Sequence, residues 1–169
     1  RQIELERERL GRLRHTPCVT LDGQKVELLA NIELPADGVT AIAVGAVGVG
    51  LFRTEFLFMG RSGKLPDEEE QYLAYREAVD AMQGLPVTIR TLDIGADKPL
   101  DRARKDDSLN PALGLRAIRW SLADPAMFRT QIRAVLRAAA HGRVNMMFPM
   151  LVNAEEIRQT LAHVRLAQA

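Results

Sequence analysis

Val47-Gly-Val-Gly-Leu-Phe-Arg-Thr-Glu55 and Val87-Thr-Ile-Arg-Thr-Leu-Asp93 decide the fold. Each opens with an apolar run, Val47–Phe52 and Val87–Leu92, and each reaches Arg-Thr near its end. The runs are apolar on both faces rather than alternating, as in parallel strands covered by helices on both sides. Between them, residues 66–82 carry a helical pattern. Pro66 is placed in the first turn, acids follow it, and Tyr72, Tyr75, Val79 and Met82 recur at spacings of three and four.

The alternation continues outward in both directions. Upstream, Asp22-Gly23 lies between two β-prone runs and predicts a hairpin whose second strand covers 25–31. Residues 37–45 predict a short helix. Downstream of the second quoted run comes a loop rich in Asp and Lys, Ile94–Asn110, then a helix over 111–122. Asp124-Pro125 is a cap followed by proline at the first helical position. Phe128, Ile132, Val135 and Ala139 mark that helix, and Gly142 ends it. Residues 144–148 are a fourth strand. Asn153 and Glu156 have capping-box spacing before a helix striped by Ile157, Leu161 and Val164.

Strands alternating with helices imply an α/β fold with a parallel sheet and crossover helices. Two architectures satisfy the pattern. One is an open doubly wound sheet. The other is about four β/α units of a TIM (β/α)8 barrel, which as a whole needs roughly 250 residues.

Arg1–Arg14 is charged throughout, with Ile3, Leu10 and Leu13 isolated among charges. It reads as a solvated helix between domains, so residues 1–16 are expected to be an interdomain linker helix and 17–169 the domain proper. The chain lacks an initiator methionine and a helix stop at Ala169, so both ends are expected to be cuts in a longer polypeptide.

With 23 basic and 22 acidic residues, the net charge is +1. No global field favours nucleic acid or an anionic membrane. No apolar run approaches the roughly 20 residues of a membrane span, and the single cysteine, Cys18, excludes an internal disulfide. A cytoplasmic protein is expected, with no nucleic acid partner and no membrane insertion. Any anion site must be local.

In both architectures ligands meet the C-terminal ends of the strands. Arg53 and Arg90 occupy matching positions there. Arginine is poorly suited to a buried parallel strand unless its charge is matched. Two adjacent guanidiniums repel, and their planar forks suit a phosphate or carboxylate placed between them. The ordinary alternative is internal pairing, Arg53 with Glu55 and Arg90 with Asp93. Lys98 and Arg116 lie on the connection after the third strand and are secondary candidates, with solvated charge as the ordinary alternative. Gly45, Gly48 and Gly50 precede a strand rather than follow one, which is the wrong context for a dinucleotide loop. His15, His141 and His163 show no metal spacing. His141 suits a helix C-terminus, Cys18 is expected to be packed, and Asp67–Glu70 fits a helix N-terminus and a solvated face.

Several segments together resemble one family. They are Gly48–Met59 (GVGLFRTEFLFM), Leu65–Gln71 (LPDEEEQ), Arg90–Lys98 (RTLDIGADK), Asn110–Arg119 (NPALGLRAIR) and Met147–Met150 (MFPM). The resemblance is to Enzyme I of the bacterial phosphotransferase system, and it runs over nearly the whole chain. It implies the barrel rather than the doubly wound sheet, specifically the first half of a phosphoenolpyruvate-binding C-terminal domain that also forms a homodimer. It implies phosphoryl transfer from phosphoenolpyruvate to a histidine of a separate N-terminal domain, with pyruvate as product, and then to the phosphocarrier protein HPr. By motif, Arg53 and Arg90 correspond to phosphate-binding arginines, and Arg116 to an arginine of the same region. Mg²⁺ is the implied cofactor, but its ligands, the phosphorylated histidine and the catalytic cysteine match nothing here. The chain is therefore expected to be inactive alone. A pyruvate phosphate dikinase or phosphoenolpyruvate synthase barrel is the nearest alternative. A stand-alone anion-binding or oligomerising module is the alternative of another class, with self-association expected from half an exposed barrel wall.

Overall fold

Short apolar runs bounded by glycine, proline and acidic caps produce short strands, each followed by a helix. In the computed structural model, which describes residues 2–14, 16–61, 64–95 and 114–169, an amphiphilic helix α1 (Gln2–Leu13) leads the chain. Then come β1 (Ala30–Ile32), α2 (Asp37–Ala43), β2 (Val49–Arg53), α3 (Glu55–Phe58) and α4 (Glu68–Ala81). They are followed by β3 (Val87–Arg90), α5 (Ile118–Ala123), α6 (Pro125–Ala138), β4 (Val144–Met147) and α7 (Ala154–Gln168).

All strand pairs are parallel, and the spatial order is β1-β2-β3-β4. Sequential order without a reversal is the order of a (β/α)8 barrel wall, whereas a doubly wound sheet reverses at a switch point. The expected α/β fold with barrel-type units therefore holds. In α1, Ile3, Leu10 and Leu13 are exposed, as the charged background predicts.

Three expectations are corrected. The Asp22-Gly23 turn forms, with Gly23 at φ +87°, but only a single antiparallel bridge, Val19 to Lys25, joins its arms. The expected strand over 25–31 therefore reduces to β1, which starts at Ala30. Val26, Leu28 and Leu29 stay exposed, and an isolated two-stranded ribbon without a buried face is marginal. Pro66 lies two residues before α4 rather than in its first turn. Asp67 is the cap, in a reciprocal capping box with Glu70. The helix expected over 111–122 begins at Ile118, with Arg116 and Ala117 in the turn before it. Residues 111–113 lie outside the described residues.

The main core is the helix-facing side of the sheet. Ile32, Val49, Phe52, Val87 and Ile89 meet Tyr75, Ala78 and Val79 of α4, Met82 at its C-terminal cap, and Ala134, Val135 and Ala138 of α6. Each large side chain buried there contributes about 1.5–3 kcal/mol. Gly45 closes α2 at φ +91°, and a Cβ there would lie 2.5 Å from the Arg14 carbonyl. Gly48 and Gly50 let β2 approach Leu29, where a Cβ on either would lie 2.9 Å from that side chain. These glycines serve packing, not dinucleotide binding.

The acidic run at the start of α4 is more than a solvated face. Glu68 accepts from Arg133 at 2.6 Å and from Arg137 at 3.1 Å, and Glu69 accepts from Arg137 at 2.6 Å. The Arg133 hydrogen bond, with Arg137 beside it, holds the Glu68 carboxyl below its ordinary range. Arg137 also lies 4.0 Å over the Tyr72 ring, so charge and stacking together pin α4 to α6.

On the other flank, His163 of α7 packs edge-on against buried Phe128 of α6, with ring centroids 5.7 Å apart. Burial first, and then the positive charge of Arg129, hold its imidazole below the ordinary value. As pH falls through about 6.5, the unfolded chain takes up the proton before the folded one. Stability is thus full above that pH and falls as pH drops toward the lower folded value. His163→Phe keeps the ring and removes the proton. Urea midpoints at pH 7.5 and 5.5 should differ less in His163→Phe than in the parent; equal differences would exclude His163 as the source.

Candidate functional site

Arg53 ends β2, Arg90 ends β3, and the two are Cα partners in the parallel register. Parallel pairing puts both at the C-terminal edge of the sheet, side by side. Glu33 follows β1 at the same edge. It is held by a turn in which the Glu33 and Leu34 amides donate to Asp37 Oδ2 at 3.1 and 2.9 Å.

The side chains alternate in sign along this edge. Arg53 pairs with Glu33. Arg90 pairs with Glu55 at 2.5 Å on one side and Asp93 at 3.1 Å on the other. Asp93 then reaches Arg116 at 3.6 Å. Three guanidiniums thus meet three carboxylates. Of the two internal pairs considered from sequence, Arg90–Asp93 forms. Arg53–Glu55 does not, because Glu55 crosses to the neighbouring strand's arginine. The repulsion between guanidiniums, on which the sequence argument relied, is relieved by the intervening acids. What remains available to an anion is the set of donors that the acids do not use, since each guanidinium carries five N–H groups.

The two arginines differ in setting. Arg53 is 41% exposed, its partner Glu33 is 39% exposed, and its guanidinium lies 5.7 Å over the Phe56 ring. Arg90 is 19% exposed and its partner Glu55 only 5%. One arginine is open to solvent and the other is clamped.

Arg116 stands in the turn before α5. The amide of the next residue, Ala117, donates to the Ile94 carbonyl at 3.0 Å, with Ala117 at φ +51°. A positive φ at a residue with a Cβ costs about 1–3 kcal/mol, so this turn is held by its surroundings. It brings Arg116 to the Asp93 carboxylate and so joins a third guanidinium to the edge. Lys98, the fourth candidate, lies outside the described residues.

Beneath the edge runs a buried polar chain that sequence reasoning missed. Gln131 of α6 donates to Thr54 Oγ1 at 3.2 Å and to the Tyr75 hydroxyl at 3.1 Å, and its Oε1 accepts from the Leu92 amide at 2.9 Å. Thr54 Oγ1 donates to the Arg90 carbonyl at 2.8 Å. The Tyr75 hydroxyl donates to Gln71 Oε1 at 3.1 Å, and Gln71 donates to the Pro66 carbonyl at 3.0 Å. Thr54, Gln71, Tyr75 and Gln131 are all buried. Burial pushes the Tyr75 hydroxyl well above its ordinary value, so it remains a donor. A signal was present: Gln131 shares the helical face of Phe128, Ile132 and Val135, where a polar residue must find partners.

His141 accompanies the end of α6 as expected, with Nε2 3.0 Å from the Tyr72 hydroxyl. Cys18 is half-buried. A cleft of about 380 Å³ lined by Glu68, Arg133, Leu136, Arg137, Ala167 and Gln168 shares no residue with the strand tips. Among the described residues no cluster of His, Cys, Asp and Glu could hold a metal. Glu33, Glu55 and Asp93 are each engaged by an arginine, so they do not form a magnesium site. Also among the described residues, no helix is long and apolar enough to cross a membrane.

Comparison with known proteins identifies the family. The family model described as PEP-utilising enzyme, PEP-binding domain, matches residues 7–169. The phosphoenolpyruvate-protein phosphotransferase of Cupriavidus necator is 66% identical over 167 residues, covering 97% of this chain and 28% of that protein. Proteins of the same name from Bacillus sp. (strain S) and Staphylococcus aureus are 50% and 48% identical, over 95% and 93% of this chain. The chain spans 28% and 27% of those two relatives' lengths.

Proposed function

This chain belongs to the phosphoenolpyruvate-utilising enzymes, as their phosphoenolpyruvate-binding domain, and on that premise we propose that Arg53 and Arg90 hold the phosphate of phosphoenolpyruvate in a phosphoenolpyruvate–protein phosphotransferase. The observation that carries the reading is the register: Arg53 and Arg90 are Cα partners at the ligand-bearing edge of a parallel sheet. The names of the relatives favour the phosphotransferase over a dikinase or synthase.

In the full-length protein the phosphoryl group would pass to a histidine outside this chain and from there to HPr, leaving pyruvate. Residues 1–16 would serve as an interdomain helix, the barrel domain would form the homodimer, and the enzyme would be cytoplasmic. Phosphoryl transfer asks little covalent chemistry of the protein; it asks for positioning and charge stabilisation. The guanidiniums orient the phosphate and meet the negative charge that grows as the bond to the enol oxygen breaks. Magnesium, when bound, would neutralise phosphate charge. The described residues offer it no site, so its ligands must come from elsewhere. Arg116 adds a third guanidinium to the same edge, and Lys98 is proposed to join it.

Label transfer from phosphoenolpyruvate to the full-length enzyme tests the reading. Arg53→Ala should slow it roughly 100-fold, the scale for losing one charge-stabilising donor. Its melting temperature should hardly move, because an exposed pair such as Arg53–Glu33 contributes only about 0–1 kcal/mol. Near-normal transfer would remove Arg53 from the site.

A further inference from the structure

Resting on the reading of Arg90 as a phosphate-binding group, we infer that Glu55 is its positioning residue, the buried carboxylate that fixes the plane of the Arg90 guanidinium. Glu55 is the first residue of α3, separated from the end of β2 only by Thr54. Its carboxylate crosses to β3 and meets Arg90 Nη2 at 2.5 Å. The residue before it, Thr54, donates to the Arg90 carbonyl at 2.8 Å. Two consecutive residues thus grip Arg90 at both ends, the Thr54 hydroxyl at the Arg90 carbonyl and the Glu55 carboxylate at the guanidinium.

Burial makes this grip specific. Glu55 is nearly inaccessible, and its second oxygen, Oε2, is buried with no hydrogen-bond partner among the described residues. A buried carboxylate with half its acceptors idle is a poor way to stabilise a fold, since an apolar residue of similar volume often does as well or better. It is a good way to hold a guanidinium still. With Asp93 on the opposite side at 3.1 Å, Arg90 has little freedom to rotate, and its remaining donors keep one direction. Among the described residues Arg53 is held by one carboxylate only, that of Glu33, which is 39% exposed, so its grip is weaker.

A carboxylate that acts only through Arg90 must lose its effect on turnover once Arg90 is gone. In the full-length enzyme, Glu55→Gln keeps the side-chain volume and an acceptor for Nη2 but removes the charge. It should lower kcat for transfer from phosphoenolpyruvate about tenfold and change KM less. Glu55→Ala should lower kcat further. In an Arg90→Ala background, Glu55→Gln should leave the residual rate unchanged. Rates are read at a temperature where thermal melts show every variant folded. Normal turnover in Glu55→Gln, or a full tenfold loss persisting without Arg90, overturns the inference while leaving Arg90 in place. Near-normal turnover in Arg90→Ala alone would instead overturn the reading beneath it.

Discussion

Arg90→Ala should lower kcat/KM for phosphoenolpyruvate in the full-length enzyme by roughly a thousandfold, the upper end for losing one preorganised donor to developing charge. The loss should exceed that of Arg53→Ala because Arg90 is the clamped arginine. A donor held in place before the substrate arrives needs no reorganisation as the bond breaks, whereas a solvent-exposed one does. Arg90→Ala should also destabilise the protein, unlike Arg53→Ala. Removing one partner of a buried pair leaves the other charge uncompensated, at a cost of about 3–5 kcal/mol, and Glu55 is that charge. Asp93 is less affected, since Arg116 remains beside it. Adding Glu55→Gln to Arg90→Ala should therefore restore much of the melting temperature and none of the turnover. A single variant that melts normally would mean that Glu55 finds another partner.

Gln131→Leu should cost about 3 kcal/mol or more of stability. The substitution preserves volume and suits a helix, so packing alone predicts a small change. Hydrogen bonding predicts a large one. The Leu92 amide loses its acceptor, and Thr54 Oγ1 and the Tyr75 hydroxyl lose a donor, all in buried surroundings. The stranded Leu92 amide costs about 1–3 kcal/mol, and each of the two hydroxyls, which keep the bonds they donate, loses about 1 kcal/mol more. For a domain of this size the melting transition should drop by roughly 6–12 °C. Tyr75→Phe removes only one hydroxyl and should cost nearer 1 kcal/mol. Comparable melting of Gln131→Leu and the parent would show that the chain of hydrogen bonds is dispensable. Phosphoryl transfer should fall in Gln131→Leu even where the protein is folded, because Gln131 ties α6 to the residues that follow both arginines.

The strands were legible from sequence because their apolar runs are bounded by strong punctuation. Asp124 and Asn153 each cap a helix as read, with side chains accepting from residues three further on, whereas Asp67 caps α4 rather than lying inside its first turn as expected. The Asp22-Gly23 turn was legible too, but not the absence of a sheet around it. Turn chemistry specifies a reversal, while pairing needs a buried face that this segment lacks. At the site, spacing could suggest Arg90–Asp93, which are neighbours in sequence. It could not suggest Glu33–Arg53 or Glu55–Arg90, which depend on which strands are adjacent and in what register. The resemblance drew attention to the arginines but not to the acids that neutralise them, since charge complementarity across strands is invisible along a chain. Gln131 could have been found by asking why an amide occupies an apolar helical face.

The strand order β1-β2-β3-β4 has a consequence for biosynthesis. Each strand pairs with the one made just before it, so every strand leaving the ribosome meets a template already in place. Among these four strands none must wait for a distant partner, and the entropy of closing long loops is met in small steps rather than at once. The edge carrying Glu33, Arg53, Glu55 and Arg90 is complete once β3 has docked, so its acids and guanidiniums neutralise one another as they emerge.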